Sequence, residues 1–452
     1  MPEQRPAARL ARGLGGIGLS GVTVAGAAAA GGLTSMRTAY PRPPNLAPAE
    51  GRSAARAVPD DRLAVAVVLG ASGSVITDAL GPYEIFARSP RFLVSTVSAS
   101  QPTAMLSGGL AVVPDHSLGE VYAGTAPDPD VIVVPAVAAP TGKKEAPLRQ
   151  WIAAQADRGA HILGVCNGAR LLAPTGLLDG RRATAHWSAL RSLQRRHPKV
   201  SWERGQRYVQ DGKVTTTAGV TSGVFGALRL VEQLAGAAEA QRVGRELAYP
   251  GWVLDGPTGI PEQRWGPRDL AYLLAVAFPW RRPTIGVGLL DGVGELEVAA
   301  PFELYVSSFA AHTVPIAANR TITTRHGLRL VATPTDATAP DLDRLIVRGA
   351  HTTDEVDPQL LTWAADRDLQ VELVGGGADA EFSFDAMLRD LAAHTDRTTA
   401  QVTAKSIEYP AGRLRLPGAP WPWRPTALFA LTLTAAIGVS LLPAAVTHRE
   451  RR

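Results

Sequence analysis

Cysteine is almost absent from this sequence, because its 452 residues contain only one, Cys166. A single cysteine excludes an intramolecular disulfide framework and leaves the compartment of the protein open. Clusters of histidine, cysteine and carboxylate residues with the spacing of metal ligands are lacking too. We therefore expect neither a metal nor a cofactor.

A strong excess of one charge is also missing. Lysine and arginine number 46 against 41 acidic residues, so the net charge is +5, and it is spread along the chain. This excess is too small and too scattered to indicate nucleic-acid binding, and we find no recognisable DNA-reading motif. The glycine-rich turns at Gly73 and 219–223 are too weak to indicate phosphate binding. We therefore do not expect nucleic acid among the partners of this protein.

The single cysteine lies in the most informative stretch of the chain. An apolar run that predicts a strand ends at Val165, and a predicted helix starts near Asn167. Cys166 would then occupy a sharp turn between Gly164 and Gly168, as in a nucleophile elbow. A helix N-terminus behind such a turn favours a thiolate. We interpret Cys166 as a reactive thiol, the alternative being a small buried residue of an α/β core.

Strand and helix patterns alternate through residues 62–250. The Val-rich run 63–69 is typical of a strand that is buried on both faces of a parallel sheet. This alternation predicts a doubly wound α/β sandwich, in which active residues gather at the carboxyl ends of the strands. The predicted strands are 63–69, 92–98, 131–134 and 213–217, and the predicted helices are 78–88, 148–158, 188–196 and 222–234.

Residues 283–410 repeat this first unit in outline. The matched segments are 285–290 with the first strand, 297–305 with 78–86, 327–331 with 109–113, 340–343 with 127–130, and 408–410 with 248–250. The repeat implies two copies of one fold. The second copy is shorter, because it passes through 375–377 almost directly to its last helix and lacks an elbow cysteine. We expect it to pack against the first copy, to pair with it within one chain or in a homodimer, or to bind a ligand.

The C-terminal region predicts a transmembrane helix over residues 426–446. This stretch is uncharged and rich in apolar residues, and it is long enough to cross the hydrocarbon core. Trp421 and Trp423 precede it and a basic tail follows it, so we predict a helix in the membrane rather than a buried core helix. The tail would be cytoplasmic, and the globular body at 37–420 would be extracytoplasmic.

The N-terminal region is harder to interpret. Three arginines, Arg5, Arg9 and Arg12, precede an uncharged Gly/Ala-rich stretch from 13 to 36. This pattern indicates a signal-like or weak transmembrane segment, which would make a double-pass protein, and the alternative is a disordered leader. The predicted organisation is a signal-like segment at 1–36, a Pro-rich linker at 37–61, a first domain at 62–250, a connector at 251–282, a degenerate second domain at 283–410, a linker at 411–425, the transmembrane helix at 426–446 and a tail at 447–452.

Several motifs of the first unit occur together in one known family. They are Asp78 with 81–84 (Gly-Pro-Tyr-Glu), the elbow 165–168, the stretch 176–184 leading to His186, and 217–223. On these motifs, residues 62–250 resemble the ThiJ/PfpI family of the class I glutamine-amidotransferase-like superfamily. The resemblance is strongest to the branch that holds isonitrile hydratases and the sensing domains of AraC-type regulators. It implies a flavodoxin-like sandwich for residues 62–250 and a small-molecule ligand or substrate. Together with the repeat, it predicts two flavodoxin-like domains, the second of them truncated.

The resemblance also implies roles for individual residues. Cys166 matches the nucleophile, Asp78 the acid that hydrogen-bonds its sulfur, and His186 a histidine near it. The backbone N–H groups of Asn167 and Ala136 would form an oxyanion site, although Ala136 stands where relatives usually have glycine. Two alternatives stay open: Asp78 as a helix N-cap, and His186 as a structural histidine bonded to backbone.

Three functions are consistent with these patterns. The first is a membrane-anchored, cysteine-dependent hydrolase, hydratase or lyase that acts on a small electrophilic molecule. The second is a ligand- or redox-sensing module that works without turnover. The third is a structural or interaction protein.

Overall fold

The computed structural model describes residues 6–41, 58–59, 61–99, 102–336, 339–375 and 381–449, with the side chains of the two terminal helices described only between 22 and 438. Most of the predicted linker 37–61, two residues of the glycine run 375–377, and tail residues 450–452 lie outside these ranges. The bounds of the predicted domains stay predictions.

The strands and helices alternate through both copies of the repeat. The strands are β1 (Leu63–Leu69), β2 (Phe92–Ser98), β3 (Ala104–Met105), β4 (Ala111–Val113), β5 (His116–Ser117), β6 (Val131–Val134), β7 (His161–Gly164), β8 (Arg182–Ala183), β9 (Ser201–Trp202), β10 (Tyr208–Asp211), β11 (Val214–Thr217), β12 (Thr284–Gly288), β13 (His312–Ala317), β14 (Thr321–Thr323), β15 (Arg329–Val331), β16 (Thr333–Pro334), β17 (Arg344–Val347) and β18 (Val371–Leu373). The α-helices are α1 (Pro6–Ala39), α2 (Ile76–Ala87), α3 (Leu118–Tyr122), α4 (Ala146–Asp157), α5 (Ala169–Leu172), α6 (Trp187–Arg196), α7 (Ser222–Ala235), α8 (Ala237–Leu247), α9 (Leu270–Ala277), α10 (Glu295–Ser308), α11 (Pro358–Ala365), α12 (Ser383–His394), α13 (Arg397–Ser406) and α14 (Trp423–Arg449).

The first copy forms a seven-stranded sheet with the order β10-β11-β7-β6-β1-β2-β5. The Val-rich β1 is almost wholly buried and pairs in parallel with β2 and β6, as the continuous apolar run predicts. Strand β7 runs parallel to β6 and β11. The carboxyl ends of β1, β6 and β7 therefore lie at one edge of the sheet, where Cys166 follows β7. This mixed α/β, flavodoxin-like arrangement agrees with the predicted fold.

The second copy forms a five-stranded parallel sheet with the order β16-β13-β12-β17-β18. Its central strands β13, β12 and β17 correspond to β2, β1 and β6 of the first sheet. It has no counterpart of the antiparallel β10 among its strands. No cysteine follows any strand of this sheet, because the one cysteine of the sequence, Cys166, lies in the first copy.

The two copies pack together through equivalent surfaces. Helix α2 lies against α10, and their apolar side chains share one hydrophobic core. The Leu296 backbone N–H donates to Glu84 Oε2 at 2.7 Å, and in the matching contact the Thr77 N–H donates to Glu303 Oε2 at 3.4 Å. Strands β4 and β15 pair antiparallel across the same junction. Both copies thus use the same face, as subunits do in a two-fold dimer.

The prediction of a transmembrane helix at 426–446 is wrong. Within the described residues, no helix has the length and apolar content needed to cross a bilayer. The described side chains of α14 are not uniformly apolar. Threonines 426, 432 and 434 interrupt them, each donating its hydroxyl to a backbone carbonyl one turn earlier.

The predicted localisation fails with that helix. We predicted a single- or double-pass membrane protein with extracytoplasmic domains and a cytoplasmic tail. That prediction depended mainly on the stretch 426–446 and secondarily on 13–36. The second stretch lies within α1, which packs against α9 and α14. Ser35 of α1 is fully buried, and its Oγ donates to Val276 O at 2.8 Å. The described part of α1 is therefore docked on the body of the protein.

Candidate active site

Cys166 occupies a strained turn between β7 and α5. Its φ is +54°, a left-handed backbone that costs a residue with a side chain about 1–3 kcal/mol. Its backbone N–H donates to Thr217 Oγ1 at 3.3 Å, at the end of β11. Gly168 closes the turn so tightly that a Cβ there would overlap the Val134 carbonyl. The neighbouring strands therefore impose the strained conformation that the elbow pattern predicts.

The Cys166 side chain is enclosed rather than presented to solvent. The residue is 4% exposed, and burial raises the pKa of its thiol well above the ordinary value. The charge of Asp78 raises it further, while a hydrogen bond from the Asn167 backbone lowers it. Helix α5 has a single turn, so its dipole offers little to oppose the cost of burying a thiolate. The thiol is therefore neutral at neutral pH.

Asp78 lies in the first turn of α2, fully buried. The N-cap of this helix is Val75, so the structure does not place Asp78 in the capping role. Its Oδ2 accepts a hydrogen bond from the Ala136 backbone N–H at 3.0 Å, and its Oδ1 has no hydrogen-bond partner among the described residues. Burial raises the pKa of the carboxyl well above its usual range, and the charge of Glu303 adds to this. Asp78 is therefore a neutral acid, able to donate a proton.

His186 makes contacts that favour its structural role. Its Nε2 lies 2.7 Å from the Ser406 carbonyl oxygen, and its Nδ1 lies 2.7 Å from Ser188 Oγ. A carbonyl only accepts, so Nε2 carries the proton and Nδ1 accepts from the serine. Burial lowers the pKa of the imidazole, which keeps the ring neutral. Both nitrogens are thus engaged away from the thiol, and a catalytic role for His186 stays a prediction.

The two backbone N–H groups of the predicted oxyanion site, those of Asn167 and Ala136, have different hydrogen-bond partners. A hydrogen bond from the Asn167 backbone lowers the pKa of the Cys166 thiol. The Ala136 N–H is already donated to Asp78. The Asn167 backbone thus favours the ionised form of the sulfur, whereas the Ala136 N–H orients the Asp78 carboxyl.

Three residues near the thiol were not foreseen from the sequence. Tyr40, at the end of α1, packs its ring against Gly73, where an added Cβ would lie 2.6 Å from Tyr40 Cδ1. Burial raises the pKa of the phenol, and Glu303, Asp78 and Cys166 add to it in that order. Glu303 and Glu408 both raise the pKa of Cys166 from the second copy.

The internal repeat contained a signal for one of these residues. Glu408 aligns with Ala248, so the second copy carries a carboxyl group where the first has a methyl group. Glu303 aligns with Glu84 and could have been read as a packing residue, as Glu84 is. Nothing in the sequence indicated Tyr40, because it lies at the start of the predicted linker.

One group of described side chains could hold a metal ion. Glu372, Asp390 and His394 bring one ligand atom each within 4.8 Å of one another. The Arg344 guanidinium donates to both carboxylates, at 2.6 Å to Glu372 Oε2 and 2.8 Å to Asp390 Oδ1. Arg344 therefore already neutralises the carboxylate charge that would bind a cation.

The elbow thus places a neutral thiol near a neutral carboxylic acid in a site closed to solvent. Comparison with known proteins finds the DJ-1/PfpI family model over residues 64–233. An isonitrile hydratase of Pseudomonas putida is 33% identical over 174 residues, which cover 38% of this chain and 72% of that protein.

Two further similarities concern a regulator and a solved structure. The HTH-type transcriptional regulator CdhR of Pseudomonas aeruginosa is 31% identical over 150 residues, which cover 33% of this chain but only 43% of the regulator. A ThiJ/PfpI family protein from Pseudomonas syringae matches with 26% identity and a TM-score of 0.38, covering 47% of this chain and 84% of that one.

Proposed function

This chain belongs to the DJ-1/PfpI family, and on that premise we propose that its first copy is a cysteine-dependent hydratase for a small electrophile of the isonitrile class. The observation that carries the proposal is the enclosed pair of Cys166 and Asp78, both held in their neutral forms by burial. The similarity to an isonitrile hydratase supports the substrate class.

A neutral thiol and a neutral acid suit addition to an isonitrile, whose terminal carbon must gain both a nucleophile and a proton. The Cys166 sulfur forms a bond to that carbon, Asp78 donates its proton to the same carbon, and the thiol proton returns to the Asp78 carboxylate. The product is a thioimidate. Water then adds across the carbon–nitrogen double bond, with its oxygen bonding to carbon and one proton passing to nitrogen. The carbon–sulfur bond breaks as the new hydroxyl proton passes to sulfur, and an N-substituted formamide leaves.

Asn167 and Ala136 would support this sequence through their backbone N–H groups. The Asn167 N–H would stabilise the sulfur as the bond to carbon breaks. The Ala136 N–H fixes the Asp78 carboxyl by bonding Oδ2, which leaves Oδ1 for proton transfer. The enclosure of the site restricts the substrate to a small molecule and limits water.

The test is formation of formamide from a small alkyl isonitrile by the purified full chain. We expect turnover by the natural protein, none from Cys166→Ser, and a loss of about 10²-fold or more from Asp78→Asn, the usual range for one acid–base group. Asp357→Asn is the matched control, since Asp357 caps α11 at the surface and asparagine caps equally well. Absence of turnover by the natural protein, or full turnover by Cys166→Ser, would refute the proposal.

The second candidate is a sensing module, and the enclosure of Cys166 favours it. A thiol that is only 4% exposed is out of reach of a dissolved molecule until the site opens. Ligand binding or oxidation would then be the event that shifts the opening equilibrium. Stabilisation of the protein by an isonitrile without formation of formamide would select this function.

A further inference from the structure

The second copy of the repeat reaches into the site of the first through Glu408. This residue follows α13 and has φ of +56°, a left-handed backbone that matches Ala248 of the first copy at +53°. The turn directs its side chain towards the loop after β11. There Glu408 Oε2 accepts from the Gly219 backbone N–H at 2.5 Å and from Ser222 Oγ at 3.3 Å. The carboxyl group thus binds a loop of the other copy.

Backbone contacts reinforce this junction. The Thr221 N–H donates to Ile407 O at 3.2 Å, and the Thr221 hydroxyl donates to Glu408 O at 3.0 Å. A Cβ at Gly219 would lie 2.7 Å from Glu408 Cγ and Cδ, so only glycine leaves room for the carboxyl group. The turn at 219–222 is therefore shaped to receive Glu408.

The same turn supports the elbow. Thr217, two residues before Gly219, accepts the Cys166 backbone N–H through its hydroxyl. Gly223, just after the turn, faces Val165, and a Cβ there would lie 2.7 Å from Val165 Cγ1. Displacement of the turn would therefore disturb the contacts of Cys166 itself and of Val165 before it.

We propose that Glu408 is a positioning residue of the Cys166 site: it fixes the turn that supports the elbow and brings a carboxylate of the second copy within electrostatic range of the thiol. The degenerate copy has no elbow, and it contributes this group to the intact one instead. The inference rests on the proposed function only in taking Cys166 as the reacting group.

The ionisation state of Glu408 determines the direction in which it shifts the pKa of Cys166. Burial raises the pKa of Glu408 to about 7, while hydrogen bonds from Gly219 and Ser222, the charge of Arg207 and the Trp187 backbone lower it. Glu408 also interacts electrostatically with Cys166 and Tyr249. When Glu408 ionises, its charge opposes formation of the thiolate. Removal of that charge should therefore ease ionisation of Cys166.

The test is the pH dependence of alkylation at Cys166, which is unambiguous because the chain has one cysteine. Glu408→Gln keeps an acceptor for the Gly219 N–H but removes the charge. We expect its alkylation midpoint to shift to lower pH, so that alkylation below the midpoint is faster than in the natural protein. Gly219→Ala, whose Cβ displaces the carboxyl group, should shift the profile in the same direction.

Glu355→Gln is the matched control, because Glu355 also accepts a backbone N–H, that of His351, at an exposed site. Its profile should match that of the natural protein. A Glu408→Gln profile that also matches the natural one would overturn the proposal. Since alkylation needs no turnover, failure to form formamide would count against the proposed function and leave this result standing.

Discussion

A methyl group added at Gly168 tests the elbow geometry most sharply. The new Cβ of Gly168→Ala would overlap the Val134 carbonyl oxygen and lie 3.1 Å from Val134 C and 3.2 Å from Pro135 O. These are backbone atoms of the central strand β6 and the residue after it, and Val134 O also accepts from the Val165 N–H at 2.9 Å. Relief of the overlap must therefore strain or break that hydrogen bond.

The expected cost follows from these two contacts. Overpacking costs about 1–3 kcal/mol, and a weakened backbone hydrogen bond adds about 1 kcal/mol. The higher helical propensity of alanine returns up to about 1 kcal/mol. We expect Gly168→Ala to lower the free energy of unfolding by roughly 2–3 kcal/mol, and to make Cys166 more accessible to a thiol reagent.

Urea denaturation followed by circular dichroism measures this change. Gly412→Ala is the control, because a Cβ at Gly412 meets no atom within 4 Å and its backbone is not left-handed. Its free energy of unfolding should stay within about 0.5 kcal/mol of the natural value. If Gly168→Ala behaves like this control, the close approach of the elbow to β6 is refuted.

Three further changes have clear signs. Cys166→Gly should be more stable than Cys166→Ala by about 1 kcal/mol in urea denaturation, since glycine tolerates a left-handed backbone; equal stability would exclude strain at the elbow. Glu84→Ala should cost about 1–3 kcal/mol because it leaves the Leu296 N–H buried without an acceptor, whereas Glu355→Ala should change stability little. Asp78→Asn should raise the thermal midpoint of unfolding at neutral pH. The folded state keeps a proton on Asp78 that the unfolded chain releases above about pH 3.9. The natural protein therefore loses stability as the pH rises above this value, and the variant does not. A difference in midpoint that stays constant with pH would contradict this assignment.

The sequence predicted the sheet around the site because burial leaves a strong pattern. Strand β1 matches the predicted run 63–69, and the elbow places Cys166 after β7 as its flanking glycines indicate. The correspondence of 78–86 with 297–305 also anticipated which helices are equivalent, and these are the helices that pack together. Periodicity and glycine spacing are local properties, so they can be read from the sequence without knowledge of the tertiary structure.

The surroundings of the thiol depend on contacts between distant segments, which no local pattern records. The sequence suggested a thiolate from the helix that follows Cys166, but α5 is one turn long and burial dominates the pKa. Tyr40 and Glu408 reach the site from far along the chain. The span predicted at 426–446 failed because no described helix has the length and apolar content needed to cross a bilayer, and the local pattern does not record that α14 packs against α1.

The central claim is that Cys166 bonds covalently to the substrate carbon. Intact-protein mass spectrometry after rapid acid quenching, with a small alkyl isonitrile in excess, tests this claim directly. We predict an adduct of one isonitrile on the natural protein, located at Cys166 by peptide mapping, absent from Cys166→Ser and lost once the isonitrile has been converted to formamide. Formamide production with no adduct at any quench time, or an equal adduct on Cys166→Ser, would contradict the claim.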